Sequence, residues 1–311
     1  MKEKILHVLM QELCSEMKIK MEVLSYGWIL QLSKGEKVRH IAGTRFDINP
    51  EATGNIACDK YATYEVLKSQ NIPVIEHIMM FNPANRGDYI SDEGTWTIAL
   101  ETFKKYGKLV VKPNNGSEGS GVSLCNTMKE VENSVEKLFK SHGSISLCPY
   151  YDIKTEYRTF YLNGEVYLIY GKTKPFVIGD GYSNMNDLIE NLEFPDKSVV
   201  KENLSFLDPT YIPGNGEKVE ISWKHNLGGG ALPTILEKGD LHTQIETLAK
   251  KAGKAMNIHF ATIDVIETFD NQLLVMEVNS GIGATIFIEK VQGGYNKIKE
   301  IFRKALKILF E

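Results

Sequence analysis

The chain has 311 residues, of which 42% are hydrophobic and 24% charged, and its formal net charge is -4. This length allows two domains or one large composite domain, with a core that needs no disulfide or structural metal. The mild charge argues against non-specific wrapping of nucleic acid. No stretch approaches the roughly 18 apolar residues of a membrane span, and residues 5–10 make a poor secretory signal. The four cysteines lack zinc-ligand spacing, so we expect reduced thiols in a cytoplasmic protein.

The first half of the chain predicts strands and amphipathic helices in alternation. Residues 21–49 are β-rich and contain a hairpin that turns near Gly35. Asp59 is a candidate N-cap for a helix, and the apolar spacing of residues 96–103 predicts another. Residues 109–113 form a short apolar strand that ends at a proline. This part of the sequence therefore predicts an α+β lobe.

The second half of the chain predicts mainly strands. A capping box at Thr127 begins one more helix, and beyond about residue 145 the pattern changes to strands, with a turn at Asn163-Gly164. Residues 195–218 predict an irregular excursion. The later predicted elements are a helix at about 240–257, strands at Phe260–Glu267 and Leu273–Val278, and a helix at about 295–310. The working prediction is two α+β lobes that meet near residue 145.

A glycine-rich loop follows the strand that carries Lys112. A lysine at a strand end can reach phosphate oxygens, and the backbone N–H groups of residues 114–121 can close over an anion. The loop is not a P-loop, because the lysine precedes the glycines and no GK[ST] sequence follows. A flexible surface turn explains the same residues equally well, so the motif alone leaves both interpretations open.

Two later strands each carry an embedded acid. Alternation places Glu277 and Asn279 on one face of their strand, and Asp264 on the preceding strand could share that face. Such oxygen donors suit Mg²⁺, which takes one or two carboxylates together with phosphates. The alternative is a half-exposed hairpin with solvent-facing acids. The apolar residues that flank Asp264 and Glu277 argue for burial on both faces and so favour the metal site.

Two further segments carry polar groups that could bind a ligand. Arg158, Lys172 and Lys174 could clamp a phosphate or a carboxylate, although surface salt bridging is the commoner role of such cations. Asn226 precedes three glycines at residues 228–230, which would allow close approach of backbone to a ligand, or form a plain loop. His225, beside Asn226, could carry a proton, but a lone histidine next to Lys224 and Trp223 is more often a packing or surface residue, so no role is predicted for it.

Taken in order, these segments resemble an ATP-grasp domain, of the variety found in cyanophycin synthetases and bifunctional glutathione synthetases. The matching stretches are residues 55–63, 72–74, 110–122, 156–158, 174–190, 212–231, 261–266 and 276–283. The resemblance implies an α+β fold in which two α+β lobes hold ATP between them, here preceded by a short β-rich N-terminal segment. It divides the chain into that segment at 1–54, an N-terminal lobe with a glycine-rich lid at 55–145, and a C-terminal lobe with the metal and substrate site at 146–311.

The resemblance also implies the residues that contact the nucleotide. Two lysines would hold the α- and β-phosphates, the glycine-rich loop would cover the β- and γ-phosphates, a hinge at residues 146–150 would contact adenine, and an acid would bind the ribose. In chain order these residues are Lys60, Lys112, Asn115, Gly116, Ser117, Gly119, Ser120, Gly121, Leu147, Cys148, Tyr150 and Glu156. Relatives often carry a glutamate in the hinge, near Cys148 or Tyr150, and neither position is acidic here.

The remaining implied roles concern the transferred group. The catalytic residues would be Arg158, Lys172 and Asn226, the substrate would contact Asn226, Gly228, Gly229 and Lys174, and the ligands of Mg²⁺, or of Mn²⁺ in its place, would be Asp264, Glu277 and Asn279. An arginine commonly stands near the position of Lys172 in relatives, and lysine cannot make the same bidentate contact.

The implied activity is that of an ADP-forming ligase that joins a carboxylic acid to an amine or thiol through an acyl phosphate. Its partners would be small acids and amines, such as amino acids or peptides, with no nucleic acid and no membrane. The alternatives are an ATP-dependent kinase on the same fold and a nucleotide-binding module without catalysis. The oligomeric state stays open, since enzymes of this kind are often dimers or tetramers.

Overall fold

In the computed structural model, residues 4–82, 96–116, 119–192 and 207–311 are described. The chain begins with helix α1 (Ile5–Met17), followed by an antiparallel sheet of β1 (Lys20–Leu24), β2 (Ile29–Lys34), β3 (Lys37–Ala42) and β4 (Arg45–Phe46). The predicted hairpin is confirmed as β2 and β3, and Gly35 in its turn has φ +60°. Helix α1 is not among the predicted elements. It buries Leu9, Met10 and Leu13 on one side.

Two short helices connect this N-terminal sheet to the rest of the protein. They are α2 (Glu51–Cys58) and α3 (Lys60–Ser69). Asp59 caps α3 as predicted, because its carboxylate oxygen Oδ1 accepts the Ala62 N–H at 2.8 Å. The cap fixes the direction in which Lys60, the first residue of α3, leaves the turn.

The first lobe contains a four-stranded antiparallel sheet. Its strands are β5 (Ile78–Phe81), β6 (Leu109–Pro113), β7 (Ser123–Cys125) and β8 (Ser144–Pro149), in the order β5-β8-β6-β7. Helices α4 (Trp96–Tyr106) and α5 (Met128–Phe139) pack against it. The Thr127 cap is confirmed, since its hydroxyl accepts the Glu130 N–H at 3.2 Å. The predicted strand at 109–113 is also confirmed, and all five of its residues are buried.

The second lobe contains a five-stranded sheet in which all neighbours are antiparallel. Its strands are β9 (Ile153–Leu162), β10 (Glu165–Thr173), β13 (Leu232–Ile235), β14 (Phe260–Thr268) and β15 (Leu273–Asn279), in the order β13-β10-β9-β14-β15. The predicted turn between β9 and β10 is confirmed, with Asn163 and Gly164 both at positive φ. Helix α7 (Asp240–Ala255) covers one face of this sheet. Strand β8 belongs to the first sheet and β9 to the second, so the chain changes sheets at residues 150–152.

The remaining elements lie around the second lobe. They are β11 (Phe176–Ile178), α6 (Met185–Glu190), β12 (Lys218–Glu220), α8 (Thr285–Lys290) and α9 (Gly294–Phe310). In the predicted excursion, residues 193–206 lie outside the described part, whereas 207–217 form neither helix nor strand, as predicted. Among the described helices, none combines the length and the apolar character that a membrane span requires.

The N-terminal sheet is part of the core of the second lobe. Phe46 of β4 contacts Phe260 of β14 and Phe302 of α9, with ring centroids 5.0 and 5.1 Å apart. The face of the five-stranded sheet opposite helix α7 therefore divides into an apolar half and a charged half. Strand β9 shows the division along its length, with Glu156 and Arg158 at one end and the buried Phe160 at the other. The N-terminal sheet covers the apolar half, which leaves the charged half as the floor of a cleft.

Candidate active site

The charged half of the five-stranded sheet brings together residues from four strands. The strand register places Lys172 of β10 opposite Glu156 of β9, and Arg158 of β9 opposite Asp264 of β14. Asp264 in turn lies opposite Glu277 of β15. Directly opposed residues on neighbouring strands share one face and have adjacent side chains. The sheet thus assembles the predicted phosphoryl-transfer residues and the predicted metal ligands from distant parts of the sequence.

Asp264 is the centre of this charge cluster. Its Oδ1 accepts from Arg158 Nε at 2.8 Å, and its Oδ2 accepts from Arg158 Nη2 at 2.6 Å and from Lys172 Nζ at 2.9 Å. Burial favours the neutral acid, yet the two cations hold the pKa of Asp264 well below its usual range. Lys172 also donates to Glu156, whose pKa is raised because burial outweighs that contact. The cations are therefore held in fixed positions by buried acids.

Glu277 and Asn279 line the cleft next to this cluster. Asn279 Nδ2 donates to Glu277 Oε1 at 3.0 Å, and the same oxygen lies 4.0 Å from Arg158 Nη2. The carboxylate of Glu277 and the amide oxygen of Asn279 are donors that fit Mg²⁺. Asp264 fits less well, because both of its oxygens already accept from cations. No cluster of three or more His, Cys, Asp or Glu side chains with metal-binding geometry occurs in the described ranges.

Lys112 is a buried cation without a counter-ion. Lys112 lies in β6 and is 9% exposed. Its ammonium makes no hydrogen bond or ion pair with any described residue. Lys60 lies nearby and donates to the backbone oxygens of Gly116 at 2.7 Å and Asn114 at 3.4 Å. Burial lowers the pKa of Lys60, and repulsion from Lys112 lowers it further. Two such ammonium groups beside a glycine-rich loop have the charge and the backbone N–H groups that an anion would need.

The glycine-rich loop lies across the cleft from the charged sheet. Gly119 has φ +70°, and a Cβ at this position would come within 3.1 Å of Asn226 Nδ2. Its carbonyl oxygen accepts from Lys224 Nζ at 3.4 Å. Gly121 packs against Leu138 instead and does not line the cleft. Ser117 lies outside the described residues.

The predicted hinge supplies one wall of a narrow, mostly apolar slot. Cys148 and Tyr150 line this slot, whereas Leu147 is in the core of the first lobe. Trp223 lies across from Tyr150, with ring centroids 6.4 Å apart. Burial raises the pKa of Cys148 to about 11, so its thiol is neutral at pH 7. The slot therefore suits a planar, uncharged ring.

The segment around Asn226 forms a tight turn at the junction of the lobes. Asn226 Oδ1 accepts the Gly228 N–H at 3.1 Å and begins the short 3-10 turn Leu227–Gly229. Gly228 lines the cleft, but Gly229 is buried beneath it. Lys174 is not brought to the site. It pairs with Glu220 at 3.1 Å and lines neither part of the cleft.

The cleft consists of two connected cavities. The slot between the lobes also contains Lys112 and Ser120, and a larger cavity of about 740 Å³ lies beside it and includes Asn115. The residues that line both cavities include Lys60, Gly116, Arg158, Lys172, Asn226 and Glu277. Nearly all of them are residues for which the sequence predicts a role in phosphate binding, phosphoryl transfer or metal binding. A group that passes from one cavity to the other would cross this shared wall.

Several lining residues were missed by sequence reasoning. Trp28, Thr44 and Arg45 of the N-terminal sheet line the larger cavity, although no motif includes them. His225 donates its Nδ1–H to the Lys172 backbone oxygen at 2.8 Å, and burial lowers its pKa. No local pattern signals the first three, because tertiary packing alone brings them to the cleft.

Comparisons with known proteins agree with this architecture. A family model of RimK-like ATP-grasp domains matches residues 219–303. The cyanophycin synthetase of a Nostoc species is 24% identical over 295 residues, which cover 87% of this chain and 31% of that protein. The cyanophycin synthetase of Geminocystis herdmanii is 24% identical over 297 residues, with 87% and 32% covered. The chain thus spans about a third of the length of the curated relatives it matches.

Solved structures show the same fold. A bifunctional glutathione synthetase from Pasteurella multocida matches with a TM-score of 0.55 and 18% identity, over 96% of this chain and 44% of that one. The D-alanine–D-alanine ligase from Bacillus anthracis matches with a TM-score of 0.55 and 17% identity, over 84% and 69%. The chain has the ATP-grasp fold, and the resemblance predicted from its motifs is confirmed.

Proposed function

We propose that the protein is an ATP-dependent, ADP-forming ligase that joins a carboxylic acid to an amine or thiol. The observation that carries this proposal is the wall shared by the two cavities. Arg158 and Lys172, both oriented by Asp264, line both the slot, which we assign to the nucleotide, and the larger cavity, which we assign to the second substrate. The names of the relatives point in the same direction, and amino acids or peptides are the proposed substrates.

The nucleotide would occupy the slot between the lobes. Tyr150 and Trp223 would flank the adenine, and Lys60 and Lys112 would neutralise the phosphates, since Lys112 has no counter-ion among the described residues. Glu156 lines the slot, so a contact with the ribose remains part of the proposal, although Glu156 already accepts from Lys172. The glycine-rich loop would cover the phosphates and keep water out.

Glu277 and Asn279 would hold Mg²⁺, or Mn²⁺ in its place, at the shared wall. A bound divalent cation would neutralise charge on the phosphates of ATP. Asp264 would contribute an oxygen only by giving up a hydrogen bond from Arg158 or Lys172. The chain's own contribution is therefore an acid and an amide that face the cavity, next to cations that are already oriented.

The reaction would proceed in two steps. An oxygen of the substrate carboxylate attacks the γ-phosphorus, the bond to the leaving oxygen of ADP breaks, and an acyl phosphate forms. Arg158 and Lys172 stabilise the charge on the transferred group, and Asn226 orients it from the facing loop. The amine then attacks the acyl carbon, inorganic phosphate leaves, and the amine proton passes to solvent. The protein supplies positioning and charge, with little covalent chemistry of its own.

Product analysis tests this function. ADP release would be measured with a library of acids and amines, and the products identified by mass spectrometry. We expect ADP release that needs both an acid and an acceptor, together with a joined product. A stable phosphate ester formed without an acceptor would instead establish a kinase, and ATP binding with no ADP from any mixture would establish a binding module.

A further inference from the structure

The N-terminal sheet forms the outer wall of the larger cavity. The start of strand β4 is held against the segment that follows Asn279. The Ile282 N–H donates to the Thr44 backbone oxygen at 3.0 Å, and the backbones of Arg45 and Gly281 form an isolated antiparallel β-bridge. The two segments are in close contact, since a Cβ at Gly281 would lie 2.9 Å from Thr44 Oγ1. The position of Arg45 relative to the proposed metal ligands is therefore set by backbone contacts.

Arg45 is an exposed cation that lines this cavity and has no acidic partner among the described residues. Its guanidinium donates to Cys58 Sγ at 3.0 Å, which is a weak acceptor, and no described carboxylate lies within ion-pair distance of it. Arg158 and Lys172 differ, since both pair with Asp264, whereas Lys60 donates to backbone oxygens at the glycine-rich loop. A planar guanidinium with unused donors matches the geometry of a carboxylate.

The space between Arg45 and the shared wall suits an extended molecule. Gly281, the β-bridge partner of Arg45, lies four positions after Glu277, which sets an upper limit of roughly 13 Å on the distance between the Cα atoms of Glu277 and Gly281. Trp28 lines the same side of the cavity, is 57% exposed and packs its ring over Gly43, where a Cβ would come within 2.7 Å. Its exposed surface offers an apolar contact to a molecule bound in the larger cavity.

We propose that Arg45 binds a second, unreactive carboxylate of the acid substrate. The substrate class is therefore an extended diacid, such as an acidic peptide, with one carboxylate at the shared wall and the other at Arg45. The inference rests on the proposed function for the assignment of the reacting end. Arg45 is then the residue that determines specificity, because a neutral group at this position cannot form the paired, charge-assisted hydrogen bonds that a carboxylate accepts from a guanidinium.

Binding without turnover tests this assignment. The protein, saturated with ADP and Mg²⁺, would be titrated calorimetrically with α,ω-dicarboxylates of increasing chain length and with the monoamide of each. We expect the best diacid to bind roughly tenfold or more tightly than its monoamide. Arg45→Gln should bind both with equal affinity, and Arg45→Lys should keep part of the preference. Lys34→Gln, an exposed charge change that lines neither cavity, should keep all of it.

Two results would overturn the assignment. One is a wild-type protein that prefers no diacid over its monoamide at any length, and the other is a full preference that persists in Arg45→Gln. An unchanged affinity of Arg45→Gln for ADP shows that the variant is folded. Because the titration needs no reaction, diacid binding through Arg45 with no ADP release from any acid and acceptor would contradict the ligase function alone.

Discussion

Replacement of Asp264 by asparagine should destabilise the protein strongly. Asp264 is fully buried and accepts three hydrogen bonds from Arg158 and Lys172, whose side chains are 18% and 4% exposed. Asparagine removes the negative charge and presents an amide N–H₂ to one of the cations, so two buried cations lose their shared counter-ion. Breaking a buried pair in this way costs about 3–5 kcal/mol. The free energy of unfolding from urea titration, followed by circular dichroism, measures the loss.

The same variant has a defined pH dependence. The pKa of Asp264 is lowered in the folded state, so its stabilisation is fully present above the unfolded pKa of about 3.9 and is lost as the pH falls towards the folded value. The difference in unfolding free energy between the wild type and Asp264→Asn should therefore be constant above about pH 5 and shrink in more acidic solution. An unfolding free energy within about 0.5 kcal/mol of the wild type at pH 7 would refute the charge-cluster reasoning.

Three further variants test separate parts of the site. Glu277→Gln should slow ADP release on the order of a hundredfold, and intact turnover would remove Glu277 from the metal site. The free energy of unfolding should change little, because Glu277 is partly exposed and lies 4.0 Å from its nearest cation. Lys112→Met should weaken ATP binding, measured by calorimetry, by roughly ten- to a hundredfold. It should also raise the urea midpoint of unfolding, since it replaces a buried ammonium that has no counter-ion among the described residues. A lower midpoint would contradict that burial argument. Gly119→Val should lower kcat by roughly tenfold, because a valine at φ +70° is strained and would contact Asn226. The control is Gly35→Val, which introduces similar strain at φ +60° in open space outside the cleft and should leave kcat unchanged.

Local sequence patterns predicted the elements that depend on local physics. The Asp59 and Thr127 caps, the Asn163-Gly164 turn and the buried strand at 109–113 all occur as expected. Each depends on hydrogen bonds or backbone angles within a few residues. Helix α1 was missed, because its apolar residues are covered by the distant helix α9 and no cap signal begins it.

The candidate site was predictable where side-chain alternation on strands decides the outcome. Alternation put Glu277 and Asn279 on one face, and pairing between β14 and β15 then brought Asp264 to the same face. Sequence could not show that Asp264 would be engaged by Arg158 and Lys172, since that contact depends on the register of three strands. The roles assigned to these residues remain predictions.

Long-range packing decided the rest of the cleft. Lys174 was expected to contact substrate, but β11–β12 pairing turns its ammonium towards Glu220. Arg45 carries no motif and reaches the larger cavity because Phe46 packs against Phe260 and because β4 makes backbone contacts with residues 281–282. The placement of Arg45 depends on segments more than 200 residues apart, as with residues 46 and 260, and no local pattern encodes it.

The origin of the phosphate oxygen tests the central claim most directly. An acid substrate labelled with ¹⁸O in its carboxylate would be turned over with ATP and an acceptor, and the released phosphate analysed by mass spectrometry. Attack of the carboxylate on the γ-phosphorus transfers one labelled oxygen to the phosphate, so we expect one ¹⁸O atom in each phosphate released. Phosphate without label, with both labelled oxygens kept in the acid or its product, would contradict an acyl-phosphate ligase.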